Sequence, residues 1–107
     1  MKLPPESNIT PDRWVVLEIT SDEGVHRKIL SAWLGGYLDG DSWRMSSAIA
    51  DETEMKHYNE YVTESGSTYR CLHAHEGLTD ITRNILEQLR EKHPDAQVKV
   101  LCYGDPT

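Results

Sequence analysis

One stretch of this chain carries its apolar residues at helical spacing: Leu78, Ile81, Ile85, Leu86 and Leu89 fall on a single stripe. Thr79 or Asp80 stands where an N-terminal cap belongs, and Pro94 stops the run. The opposite face holds Arg83, Glu87, Arg90 and Glu91, a charged surface expected to meet water. Before Gly77 the chain instead alternates with a period of two between glycine and serine punctuation. One amphipathic helix and several amphipathic strands bury their apolar sides by laying the helix on one face of a sheet, so the expected fold is a two-layer α+β domain.

The strands follow from the alternation. Trp14–Thr20 is β-branched and aromatic, with Val15, Leu17 and Ile19 on one face. Ser21-Asp22-Glu23-Gly24 supplies a tight turn, and Val25–Leu34 returns as the second arm of a hairpin. Its far end places Ile29 and Trp33 on one face and Leu30, Ala32 and Leu34 on the other, so that end should be buried on both sides. Gly35 to Asp41 holds three glycines and two aspartates and is expected to be a loop. Ser42–Ile49, Met55–Val62 and Ser67–His73 complete an antiparallel meander of about five strands, and Val98–Cys102 adds a C-terminal strand. Pro4, Pro5 and Pro11 make residues 1–12 an expected flexible lead-in, leaving 13–107 as a single domain.

Charge narrows the function classes. Eleven basic against eighteen acidic residues give a net charge of -7, which repels nucleic-acid backbones and anionic membranes. The acidic groups Asp22–Glu23 and Asp51-Glu52-Thr53-Glu54 are expected at solvated turns. Cys71 and Cys102 are far apart and unpaired in spacing, no apolar signal segment opens the chain, and no run is long enough to span a membrane. These features predict a soluble protein of a reducing, cytoplasmic compartment.

Two constellations could carry chemistry. In an extended strand Cys71, His73 and His75 would share one face and offer zinc ligands, with Glu76 following and His26 or His57 as further donors. The spacing matches no structural zinc motif, and the proline-cysteine-x-x-cysteine half of a zinc deaminase is absent, so the expectation is no metal and no cofactor. Cys71 beside Arg70 does not make a nucleophile, because adjacent strand residues point to opposite faces; buried filler is the default. No phosphate-cradling loop and no nucleophile elbow occur.

The second constellation surrounds the Gly-Asp loop. Trp33 and Trp43 occupy apolar positions of predicted strands and are expected in the core, whereas Tyr37, Asp39, Asp41 and Arg44 are free to face a ligand or partner. The Arg44 guanidinium could hold a carboxylate or phosphate, with Tyr37 as a stacking wall, or could bridge to Asp39 or Asp41 and pin the loop. Asp39-Gly40-Asp41-Ser42 lacks the later glutamate of a calcium loop.

At Trp33-Leu34-Gly35-Gly36-Tyr37, at Asp41-Ser42-Trp43-Arg44-Met45-Ser46-Ser47, and again at Ser65-Gly66-Ser67-Thr68-Tyr69-Arg70-Cys71, the chain resembles small uncharacterised proteins of tailed bacteriophages and prophages. The resemblance covers roughly the middle third. It implies a phage or bacterial cytoplasmic setting and transfers no catalytic residue. The combined expectation is a noncatalytic accessory binding protein acting on a host or phage protein or a small ligand. The alternatives are a small metal-dependent enzyme using Cys71, His73, His75 and Glu76, or a structural virion component. Open sheet edges add the expectation of a homodimer.

Overall fold

A computed structural model describes residues 9–34 and 42–101. The strands are β1 (Arg13–Ser21), β2 (Gly24–Trp33), β3 (Ser42–Met45), β4 (Ile49–Glu54), β5 (Tyr58–Thr63) and β6 (Thr68–Leu72). A 3-10 turn (His73–His75), the helix α1 (Asp80–Lys92) and the strand β7 (Gln97–Leu101) follow. The α+β class and the antiparallel pairing are as expected. The strands, however, divide between two sheets, in the orders β3-β2-β1-β7 and β4-β5-β6.

The two sheets explain why Trp14, Val15, Val16 and Leu17 are all buried. Successive strand residues point to opposite faces, so β1 needs cover on both. On one face Val15, Leu17, Leu30 and Val98 pack with Leu86, Ile85 and Leu89 of α1. On the other, Trp14, Val16 and Ile29 pack with Tyr61, Tyr69 and Cys71 of the three-stranded sheet. A two-layer arrangement becomes three layers, with the central sheet in the middle. Each fully buried Leu or Ile contributes about 1.5–3 kcal/mol. Trp14 also donates from Nε1 to the Leu72 carbonyl at 2.7 Å, which ties the two sheets through a satisfied indole.

The break between sheets falls inside the expected strand Ser42–Ile49. Ser46 donates its amide to the Ile29 carbonyl at 2.9 Å and accepts the Ile29 amide on Oγ at 2.9 Å, ending the β2–β3 ladder with a side chain. The chain then crosses to β4, which has an irregular register between Ile49 and Asp51. Consequently Asp51-Glu52-Thr53-Glu54, expected at a turn, forms most of β4. As an edge strand it keeps its charged side chains in or near water, which makes this composition tolerable.

Three other expectations change. Trp43 is 44% exposed rather than core, because β3 is an edge strand and only Met45, two residues on, reaches the helix cluster. Trp33 is half-buried and donates from Nε1 to the Thr10 carbonyl at 3.3 Å. Residues 9–12, placed in the lead-in, join the fold: Ile9 bridges β6 alongside Tyr69, Pro11 is buried, and the Asp12 carboxylate accepts the Leu34 amide at 2.8 Å.

α1 begins where expected. Thr79 is the cap and exchanges hydrogen bonds with Thr82, whose side chain returns to the Thr79 amide at 2.8 Å. A cap of this kind stabilises by about 1 kcal/mol. Arg90 is exposed, as expected of that face, and also donates Nε and Nη2 to the Val98 carbonyl at 3.2 and 2.8 Å. Among the described residues no helix is long and apolar enough to cross a membrane.

Candidate functional site

The three-stranded sheet covers only part of the central sheet. Along the inward face of β1 the residues run Trp14, Val16, Glu18, Thr20, and cross-strand pairing sets Ile29, Arg27 and Val25 opposite the last three. The face therefore passes from dry core at Trp14 and Ile29 to an open, charged end at Glu18 and Arg27. On its other side Glu18 pairs with Lys99 of β7. A cleft of about 490 Å³ opens at this end, bordered by Glu18, Val25 and Arg27 from the central sheet and by Ile49, Asp51 and Glu52 from β4.

Arg27 spans the cleft. Its Nε lies 3.6 Å from Glu18 Oε2 and its Nη1 lies 3.4 Å from Glu52 Oε1. All three side chains are partly exposed, so each pair contributes no more than about 1 kcal/mol to stability. The arrangement can hold and exchange polar groups: a guanidinium with five fixed donors stands between carboxylates that can accept from an incoming cation. Val25, 58% exposed at the same end, adds apolar surface without cover.

The residues singled out from sequence fare differently. Tyr37, Asp39 and Asp41 lie outside the described residues, as does Cys102. Arg44 is exposed on β3, in register with buried Ser31 and on the face opposite Trp43 and Met45, as the alternation required. Burial raises the Tyr69 phenol above its usual range, and the Arg44 guanidinium nearby lowers it in part. Arg44 thus stands at the inter-sheet face near Tyr69, while Arg27 takes the hairpin end.

The zinc arrangement fails on geometry. β6 ends at Leu72, and His73–His75 turn into a 3-10 conformation, so the alternation that would align Cys71, His73 and His75 is lost after the first of them. Cys71 is fully buried in the inter-sheet core, and its thiol is pushed up to about 12 by that burial, the opposite of an activated nucleophile. His73 Nε2 lies 2.9 Å from Asn59 Oδ1, and Asn59, itself buried, donates to the Tyr61 hydroxyl at 3.0 Å. This chain of bonds satisfies a polar residue in the core. His26 is on β2, and His57 contributes its carbonyl to the His73 amide at 3.0 Å. Glu76 continues the backbone past the turn and bridges alongside Trp14. Among the described residues no three His, Cys, Asp or Glu side chains gather as a metal site. Ser31 Oγ and His75 Nδ1 are shielded from solvent without a hydrogen-bond partner among the described residues, and neither borders the cleft.

Glu18, Arg27 and Glu52 were not singled out from sequence. Part of the signal was available: a turn closing Ser21 on Gly24 sets Glu18 opposite Arg27. Glu52 had no such signal, because its approach depends on how two sheets stack. No family model matches this chain, and comparison with curated proteins and with solved structures gave no match either.

Proposed function

We infer that this chain is a noncatalytic binding protein that receives a partner protein in the cleft between its two sheets. The observation that carries the reading is Arg27 held between Glu18 and Glu52 at the open end of an inter-sheet face that is buried at Trp14 and Ile29, beside the exposed Val25. Interfaces gain most from arginine and apolar anchors surrounded by polar groups, and this end of the molecule supplies both together. The resemblance of the central segments to phage and prophage proteins supports a bacterial cytoplasmic setting and a host or phage protein as the partner.

The test is site-resolved crosslinking. A photoreactive benzoylphenylalanine placed at Val25 is expected to capture a defined protein from bacterial lysate, while the same group at Glu87, on the exposed side of α1, does not. The same set captured from both positions overturns the reading.

A further inference from the structure

The β2 edge is closed along half its length only. β3 pairs with β2 from Leu30 to Trp33, and Ser46 completes the ladder at Ile29. Beyond that point, from Gly24 to Lys28, β2 has β1 on one side and, among the described residues, no strand on the other. The register says which backbone groups are left. A two-residue turn makes Ser21 and Gly24 a hydrogen-bonded pair, so the pairs at Ile19–His26 and Leu17–Lys28 are hydrogen-bonded as well. The amides and carbonyls of Val25, Arg27 and Ile29 then point away from β1. Ile29 confirms this phase, since both of its groups meet Ser46. Val25 and Arg27 therefore carry two amides and two carbonyls along the outer edge of β2, next to the cleft that both residues border.

We propose that this open half of β2 is a strand-addition site for an extended, lysine- or arginine-bearing segment of the partner. The proposal rests on the reading of the cleft as a binding site and adds the mode and the chemistry of the occupant. The mode follows from the edge: an added strand continues the line of β3, and its backbone meets Val25 and Arg27 as β3 meets Ser31 and Trp33. The chemistry follows from charge. Among the described residues Glu18, Asp51, Glu52 and Glu64 border the cleft against the guanidinium of Arg27 and the ring of His26, so side chains projecting from an added strand enter a site with an excess of carboxylate. A second copy of this chain, with its net charge of -7, is disfavoured in the same place.

The test uses a labelled decapeptide of alternating lysine and threonine, titrated against the full chain by fluorescence anisotropy. Three comparisons accompany it: the glutamate–threonine peptide, a lysine–threonine peptide N-methylated at alternate residues, and the Val25→Pro variant. Proline at Val25 deletes an outward amide while sparing the ladder to β1, which an edge position tolerates; its melting curve checks the fold. The expected result is binding of the lysine peptide, none of the glutamate peptide, and at least about tenfold weakening on N-methylation or in Val25→Pro. Equal affinity for the methylated and unmethylated lysine peptides overturns strand addition while leaving a charge-selective cleft. Absent binding of the lysine peptide, beside a positive Val25 crosslink, overturns the inference alone. A dimer of the unliganded chain that Val25→Pro dissociates also overturns it, since the occupant is then a second copy.

Discussion

At the scale of single residues, burial rather than reactivity decides what the sulfur and the buried polar groups do. Cys71 sits among Trp14, Tyr61 and Tyr69 with no exposed surface. An unfolded thiol ionises near pH 9, whereas in the fold that ionisation waits until about 12. Between those values the unfolded chain releases a proton that the folded chain keeps. Stability from this group is thus complete below pH 9 and lost as pH rises toward 12, by roughly 4 kcal/mol over the whole window. The Tyr69 phenol is raised as well and adds to the loss at the upper end. In a Cys102→Ser background, the denaturant midpoint is therefore expected to fall from pH 8 to pH 10 and to fall less in Cys71→Ala. Native alkylation of Cys71, followed by peptide mass spectrometry, is expected only on unfolding. Rapid modification of the folded protein contradicts the burial argument. His73 and Asn59 follow the same logic: a histidine that looks like a ligand in sequence is committed to an asparagine in the core.

At the scale of elements, the chain was legible wherever local chemistry sets the boundary. The helix was readable because its stripe, its Thr79 cap and Pro94 agree. The first hairpin was readable because Asp22-Glu23-Gly24 admits a tight turn, with Gly24 at a φ of 118° that few other residues adopt. The passage from β3 to β4 was illegible for a physical reason. Met45-Ser46-Ser47-Ala48-Ile49 contains no glycine or proline, and the strand ends because Ser46 Oγ takes the Ile29 amide, a contact 17 residues away in sequence. The same event hid the second sheet, and with it the meeting of Glu52 and Arg27 that forms the candidate site. Ser46 can be tested directly. It is buried, and Ser46→Ala strips the Ile29 amide of its acceptor, an expected cost of about 1–3 kcal/mol in urea denaturation. Ser47→Ala, at a hydroxyl that meets Ser65 near the surface, should stay within about 0.5 kcal/mol. Equal effects at the two positions would remove Ser46 from its role at the sheet boundary.

At the scale of the whole molecule, the fold is a set of sheet edges, some closed and some open, and this decides what can associate with it. β6 is covered in its middle: Ile9 donates to the Thr68 carbonyl and accepts from the Arg70 amide, both at 2.9 Å, and Trp14 takes the Leu72 carbonyl. β7 has β1 on one side, and on α1 Arg90 spends two donors on the Val98 carbonyl. The outer groups of Thr68 and Arg70 on β6 and the Val98 carbonyl on β7 are thus occupied, while the open half of β2 and the edge of β4 carry an excess of carboxylate that opposes a second copy there. The closing role of Arg90 separates from its contribution to stability in one variant. Arg90→Ala frees the Val98 carbonyl and leaves β7, with Val98 and Val100 turned toward the helix, as a plain edge. The unmodified chain is expected to sediment at its monomer mass of 12.2 kDa, and salt, by screening the net charge of -7, should promote any association. Arg90→Ala should gain mass with concentration at the same salt, since a released carbonyl on a short strand with apolar neighbours is a template for pairing. Its melting temperature should fall only slightly, because water replaces the guanidinium at an edge. A variant that melts much lower and stays monomeric would make Arg90 a brace between α1 and β7. One that stays monomeric at unchanged stability would leave the β7 edge protected by charge alone.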